Sequence, residues 1–159
     1  MDTMTKEPNS ANRREVYLMI LCAVFILFWL YSAGFKLYNF DAFKQEMHSQ
    51  VFPNGISNLL SYLIPAFEIM IAALLVYSAT RLLGMTLSFL LMLIFTTYVG
   101  LALLDVYRYM PCNCVGLLGK NASWGANFIL NLFIAIVAAV GLILTFKHRE
   151  RRREKDINV

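Results

Sequence analysis

Four apolar runs, at 16–35, 59–78, 82–104 and 124–146, constrain this chain more than any other feature. At about 1.5 Å of rise per helical residue, each is long enough to cross the roughly 30 Å hydrocarbon core of a bilayer. In lipid an unpaired backbone amide or carbonyl costs several kcal/mol, so runs of this length and number can cross only as helices. Three of the four contain no charged residue, and the second contains Glu68 alone. The chain is 59% hydrophobic and 15% charged. A soluble domain runs nearer about 45–50% apolar and 25% charged, so a soluble fold is excluded. The expected architecture is an all-α membrane protein: a four-transmembrane-helix bundle with one short amphipathic helix.

That short helix is expected in the loop after the first run. Phe40, Phe43, Met47 and Val51 recur at helical spacing and are opposed by Lys44, Gln45, Glu46 and His48, the pattern of a helix lying in the membrane interface. Pro53-Asn54-Gly55 then turns the chain into the second crossing. Only Ala79, Thr80 and Arg81 separate the second and third runs, which implies an antiparallel helical hairpin. The organisation is read as a disordered lead over 1–14, a membrane domain over 15–146 and a basic tail over 147–159. Arg13-Arg14 before the first run and Ser32-Ala33-Gly34 at its end resemble parts of a signal peptide. Tyr31 is a poor cleavage residue, however, and the run is longer than a signal core, so an uncleaved first helix is expected.

Lysine and arginine are unevenly shared between the two sides that four crossings define. Lys6, Arg13, Arg14, Arg81 and the six in the tail, from Lys147 to Lys155, fall on one side. Lys36, Lys44, Arg108 and Lys120 fall on the other. The positive-inside rule therefore puts both termini in the cytoplasm and the 36–58 and 105–123 loops outside. The formal net charge of +4 is concentrated in the tail, where it suits anionic lipid head groups rather than nucleic acid.

The strongest chemical signal is Met110-Pro111-Cys112-Asn113-Cys114-Val115-Gly116, in the second outer loop. Two thiols one residue apart, on a side where disulfides persist, suit thiol–disulfide exchange. A ring closed between i and i+2 is small and strained, which makes a disulfide more oxidising. Pro111 and Gly116 shape the loop, and Arg108 and Lys120 favour thiolate if the loop brings them near. Two other readings stay open: structural thiols or a bridge to a partner chain, and half of a metal site. The metal reading lacks a third ligand, because His48 lies in the other loop and His148 on the opposite side. Cys22 lies about 21 Å along the first helix from Lys36, too deep to serve as a relay, and reads as a packing residue.

Glu68 is expected in mid-membrane, where an ionisable group must be protonated, paired or facing a cavity. Pro65, three residues earlier, cannot donate a helix hydrogen bond to the Ser61 carbonyl and is expected to kink the helix. Candidate partners for Glu68 are Thr96 and Thr97 on the third crossing, and Trp124, Asn127 and Asn131, which share a face of the fourth. Trp124 also suits an interfacial anchor, with Ser123 as N-cap. Ser32 and Lys36 share a face of the first helix. Lys36 is expected to reach toward head groups or to pair with Asp41 or Glu46. No cofactor is identified by these residues, and a quinone near Glu68 is the weakest reading because a second cysteine pair is missing.

The ordered set Ser32-Ala33-Gly34-Phe35-Lys36-Leu37, Pro65-Ala66-Phe67-Glu68, Pro111-Cys112-Asn113-Cys114-Val115-Gly116, Ser123-Trp124 and Asn131 resembles the MauE/DoxX-like family of bacterial membrane proteins. The resemblance covers about residues 15–146 and implies a four-helix protein of the bacterial inner membrane. Its namesake is associated with methylamine utilisation and with maturing a disulfide-rich methylamine dehydrogenase subunit beside a thioredoxin-like periplasmic protein. Carried over, it implies Cys112 and Cys114 as a redox pair and Lys36, Glu68, Trp124 and Asn131 as a membrane-side signature. The implied partners are the bilayer and a thioredoxin-like protein or disulfide-containing client. The family's cysteine region often reads C-G-C-F-G, where this chain has Asn113 and Val115. A competing function from another class is a small transport or assembly subunit, with Glu68 and Asn131 lining a path and the cysteines structural.

Overall fold

A computed structural model describes residues 10–49, 53–104 and 124–157. These residues form five helices: α1 (Ser10–Tyr38), α2 (Phe40–His48), α3 (Asn54–Val76), α4 (Arg81–Leu103) and α5 (Trp124–Ile157). Four contain candidate membrane spans, at Glu15–Tyr38, Asn54–Val76, Arg81–Leu103 and Gly125–Arg151. The chain is therefore a multi-pass membrane protein, and the described residues are all-helical, as the four runs require. The helices extend beyond the apolar runs at several ends. α1 begins at Ser10, inside the lead expected to be disordered, and α5 continues to Ile157 through the basic tail. Nothing in either flanking sequence breaks a helix, because no Pro or Gly falls between Ser10 and Glu15 or after Phe146.

α4 packs most extensively against α5 and α1 against α3, while α3 with α4 joins the two pairs and α1 with α5 closes the ring. The α3–α4 turn is held by Thr80, whose hydroxyl donates to the Leu74 carbonyl at 2.8 Å. This satisfies a carbonyl at the end of α3 that the helix itself leaves without a donor. Gly84 lets the hairpin close: a methyl group there would lie 3.0 Å from Leu75 Cγ and 3.1 Å from its backbone nitrogen. Gly100 similarly admits the Phe128 ring where α4 meets α5, and Gly141 admits Leu21 of α1 and Met85 of α4. Small residues at such crossings are how membrane helices approach closely without a hydrophobic driving force between them.

The core contains Cys22, Phe25 and Trp29 of α1, Ile71, Ala72 and Leu75 of α3, Met85, Met92 and Phe95 of α4, and Ala135 and Ala138 of α5. Cys22 is a free, buried thiol in this packing, as its position in an apolar run implied. The other faces of the long helices carry exposed Leu, Ile, Val and Phe, such as Leu27, Ile94, Ile129 and Phe133, which suit lipid contact.

The amphipathic helix forms where expected, but its apolar face turns to protein. Phe43 and Met47 are buried in the same core, and the Phe40 ring lies 5.0 Å from that of Tyr62 on α3. Asn39 separates α1 from α2 with only a local break, since the Asn39 amide donates to the Phe35 carbonyl and the Phe43 amide to that of Asn39. α2 thus extends α1 alongside the first turns of α3. Val51 lies outside the described residues.

Candidate functional site

Lys36 ends the buried face of α1, two residues before Tyr38. Its long stem runs back toward the start of its own helix, the direction helical side chains favour. There Lys36 Nζ donates to Ser32 Oγ at 2.6 Å and to Glu68 Oε1 at 2.6 Å. Ser32 Oγ in turn donates to the same Glu68 oxygen at 3.1 Å. Ser32, Lys36 and Glu68 are 2%, 3% and 0% exposed, so the ion pair is sealed inside the bundle. Lys36 therefore pairs with Glu68, and not with Asp41 or Glu46 or with head groups as the sequence suggested. The four-residue spacing of Ser32 and Lys36 sets two donors on one face of α1, and the antiparallel α3 brings the carboxylate to them.

Burial makes this pair energetically exposed to disruption. Removing either partner would leave a charge in a medium that solvates it poorly, at a cost of about 3–5 kcal/mol. The Phe43 ring of α2 lies 6.0 Å from Lys36 Nζ, close enough for a weak cation–π contribution. Glu68 is about 21 Å along α3 from Asn54, and α2 flanks those intervening turns, so the pair lies well below the end of α3.

The remaining polar groups are distributed around this pair. The Thr96 hydroxyl donates to the Met92 carbonyl of its own helix, and Thr97 is exposed, so neither serves Glu68. Asn131 is 2% exposed and its Oδ1 has no hydrogen-bond partner among the described residues. Asn127 is half-buried, and Trp124 opens α5. Glu68 Oε2 is likewise buried without a hydrogen-bond partner among the described residues. Pro111, Cys112, Cys114 and Gly116 lie outside the described residues. Among the described residues no group of three or more His, Cys, Asp or Glu side chains could hold a metal ion.

One polar contact escaped the sequence reading. Trp29 Nε1 donates to Ser88 Oγ at 2.9 Å, joining α1 to α4 across the bundle. A tryptophan in the middle of an apolar run was the available signal, because its N–H needs an acceptor when buried.

The helix order, the glycine crossings and the Lys36–Glu68 register describe a four-crossing bundle in which α1 and α4 end, and α3 and α5 begin, on the same side. The model of the family described as methylamine utilisation protein MauE matches residues 14–144. The chain belongs to the MauE family. The match spans all four crossings, including both partners of the ion pair and the Pro111–Gly116 segment between α4 and α5. No curated protein and no solved structure matches the chain.

Proposed function

We propose that this MauE-family protein assists thiol–disulfide exchange, or the maturation of a disulfide-containing partner, on the side of the membrane opposite its termini. The observation that carries the reading is the family match across the whole four-helix domain, combined with a C-x-C pair in the segment joining α4 to α5. The Gly100–Phe128 crossing brings α4 and α5 together in the turns on either side of that segment in the sequence. With the charge bias of the loops, the segment faces the periplasm of a bacterial inner membrane and both termini face the cytoplasm. A thiolate of the pair attacks a disulfide of a thioredoxin-like partner or client. One partner sulfur joins Cys112 or Cys114 in a mixed disulfide, and the other leaves as thiolate. The second cysteine then resolves the mixed disulfide, so the pair is oxidised as the partner is reduced; the reverse sequence oxidises the partner. Methylamine dehydrogenase maturation is the namesake's version of this task.

Single Cys112→Ser and Cys114→Ser variants test the proposal, because loss of the resolving thiol should accumulate the mixed disulfide. The expected result is a covalent, reductant-sensitive complex with a periplasmic thioredoxin-like protein or client in at least one variant. No complex from either variant, together with unchanged redox states of periplasmic thiols, would overturn it.

The buried ion pair supports a second reading, that of a small transport or assembly subunit working through Glu68. The same variants separate the two. Loss of cellular function in Glu68→Gln, with function retained in both cysteine variants, would favour the second reading.

A further inference from the structure

The packed faces of α1 and α3 repeat with the same period. Phe25, Trp29, Ser32 and Lys36 are buried on α1, and Ser61, Pro65, Glu68 and Ala72 on α3. Both series advance by steps of four, three and four residues, the spacing of helices that pack side by side along a heptad seam. Such a seam does not by itself fix where one helix stands along the other. Sliding α1 by one turn, about 5.4 Å, brings the next member of its series opposite the same member of α3. Apolar side chains can be repacked in the new register, and lipid supplies no hydrophobic force that favours the old one.

The ion pair breaks this equivalence. No charged residue lies between Glu15 and Lys36, and Glu68 is the one charged residue of α3. Glu68 Oε1 meets two consecutive members of the α1 series, at 2.6 Å from Lys36 Nζ and 3.1 Å from Ser32 Oγ. One turn of slip would set it between Ser32 and Trp29, whose indole N–H already donates to Ser88, and would draw it away from Lys36. Slip in the opposite direction would carry it past Lys36 and away from Ser32. A separated charge inside the bundle costs more than the loss of a neutral interhelical hydrogen bond such as Trp29–Ser88. The register of α1 also sets the height of α2 beside α3. The Asn39 amide donates to the Phe35 carbonyl and the Phe43 amide to that of Asn39, so α2 follows α1.

From this geometry we infer that the Lys36–Glu68 pair is a register lock, which holds α1, and α2 with it, at one height against α3. The lock acts on the α1–α3 seam and is independent of the cysteine pair. The test uses the full chain in lipid nanodiscs, with spin labels carried by noncanonical residues at Tyr38 and Tyr77, which leaves the native thiols unlabelled. Both positions are exposed, one at the end of α1 and the other just past the end of α3. These antiparallel helices end at opposite ends of the bundle, so the label separation follows axial slip. Pulsed electron spin resonance compares the wild type, the Lys36→Met/Glu68→Leu variant and the charge-swapped Lys36→Glu/Glu68→Lys variant. The Lys36→Met/Glu68→Leu variant leaves no charge unpaired, and circular dichroism reports whether its helices are kept. The expected result is one narrow distance in the wild type and in the swapped variant. In Lys36→Met/Glu68→Leu, with helix content kept, a second distance displaced by about 5 Å should appear in at least about a tenth of the molecules. One narrow wild-type distance in Lys36→Met/Glu68→Leu overturns the inference. Loss of its helix content also overturns it, because the pair then sets stability rather than register. A swapped variant as heterogeneous as Lys36→Met/Glu68→Leu overturns it too, because side-chain shape and not the charge pair then fixes the register.

Discussion

A buried charge pair between α1 and α3 and a buried hydrogen bond between α1 and α4 make different demands on the residues that form them. Lys36–Glu68 holds two charges away from solvent, so Glu68→Ala or Lys36→Ala should each destabilise the folded bundle by about 3–5 kcal/mol. The Lys36→Met/Glu68→Leu double variant should fall within a few kcal/mol of the wild type or exceed it, because both desolvation penalties disappear together. Thermal unfolding of the three proteins in one detergent checks the non-additivity. Trp29→Phe removes only the donor to Ser88, and interhelical hydrogen bonds in membranes average about 0.6 kcal/mol. Its melting temperature should therefore shift much less than that of either single charge variant. Glu68 was legible in the sequence as a residue needing a partner, but the partner was not. Lys36 sits at the end of an apolar run, where a lysine ordinarily reaches outward. Only the tertiary structure shows its stem turning back along α1 to Ser32 and to the Glu68 carboxylate that α3 supplies.

Among the elements, the α3–α4 hairpin leaves little room for change. Gly84→Ala would press its methyl against the Leu75 backbone, which cannot rotate away as a side-chain tip can. The expected cost is about 1–3 kcal/mol, as for other overpacked sites. Gly34→Ala and Gly125→Ala meet nothing within 4 Å, and both should be neutral within about 1 kcal/mol or slightly stabilising. A comparison of unfolding in the three variants separates a close helix crossing from a glycine with space around it. Helix existence was readable from the apolar runs, and so was the short amphipathic helix. Its docking was not, because the periodicity of Phe40, Phe43 and Met47 defines an apolar face without specifying whether lipid or α3 covers it. The ends of α1 and α5 were missed for a related reason: polar residues stop a membrane span without stopping a helix.

At the scale of the whole molecule, up-and-down connectivity puts the ends of α1 and α4 and the starts of α3 and α5 on one side of the bundle. The apolar runs made this order legible, and the family match over 14–144 covers all four crossings. The cysteine pair owes its meaning to sequence and family alone, since Cys112 and Cys114 lie outside the described residues. Cys22, by contrast, is an internal control: it is buried in the core and should resist polar thiol reagents from either side. The most direct measurement is the mass of the protein after alkylation with a membrane-impermeant maleimide, applied to right-side-out and inverted vesicles. It is made before and after exposure to an external dithiol and then a disulfide oxidant. The expected result is reversible gain and loss of two labels, on Cys112 and Cys114, from the periplasmic side only, with Cys22 unlabelled throughout. Labelling of the pair from the cytoplasmic side, or a thiol state that neither reagent changes, would contradict thiol–disulfide exchange on the periplasmic face.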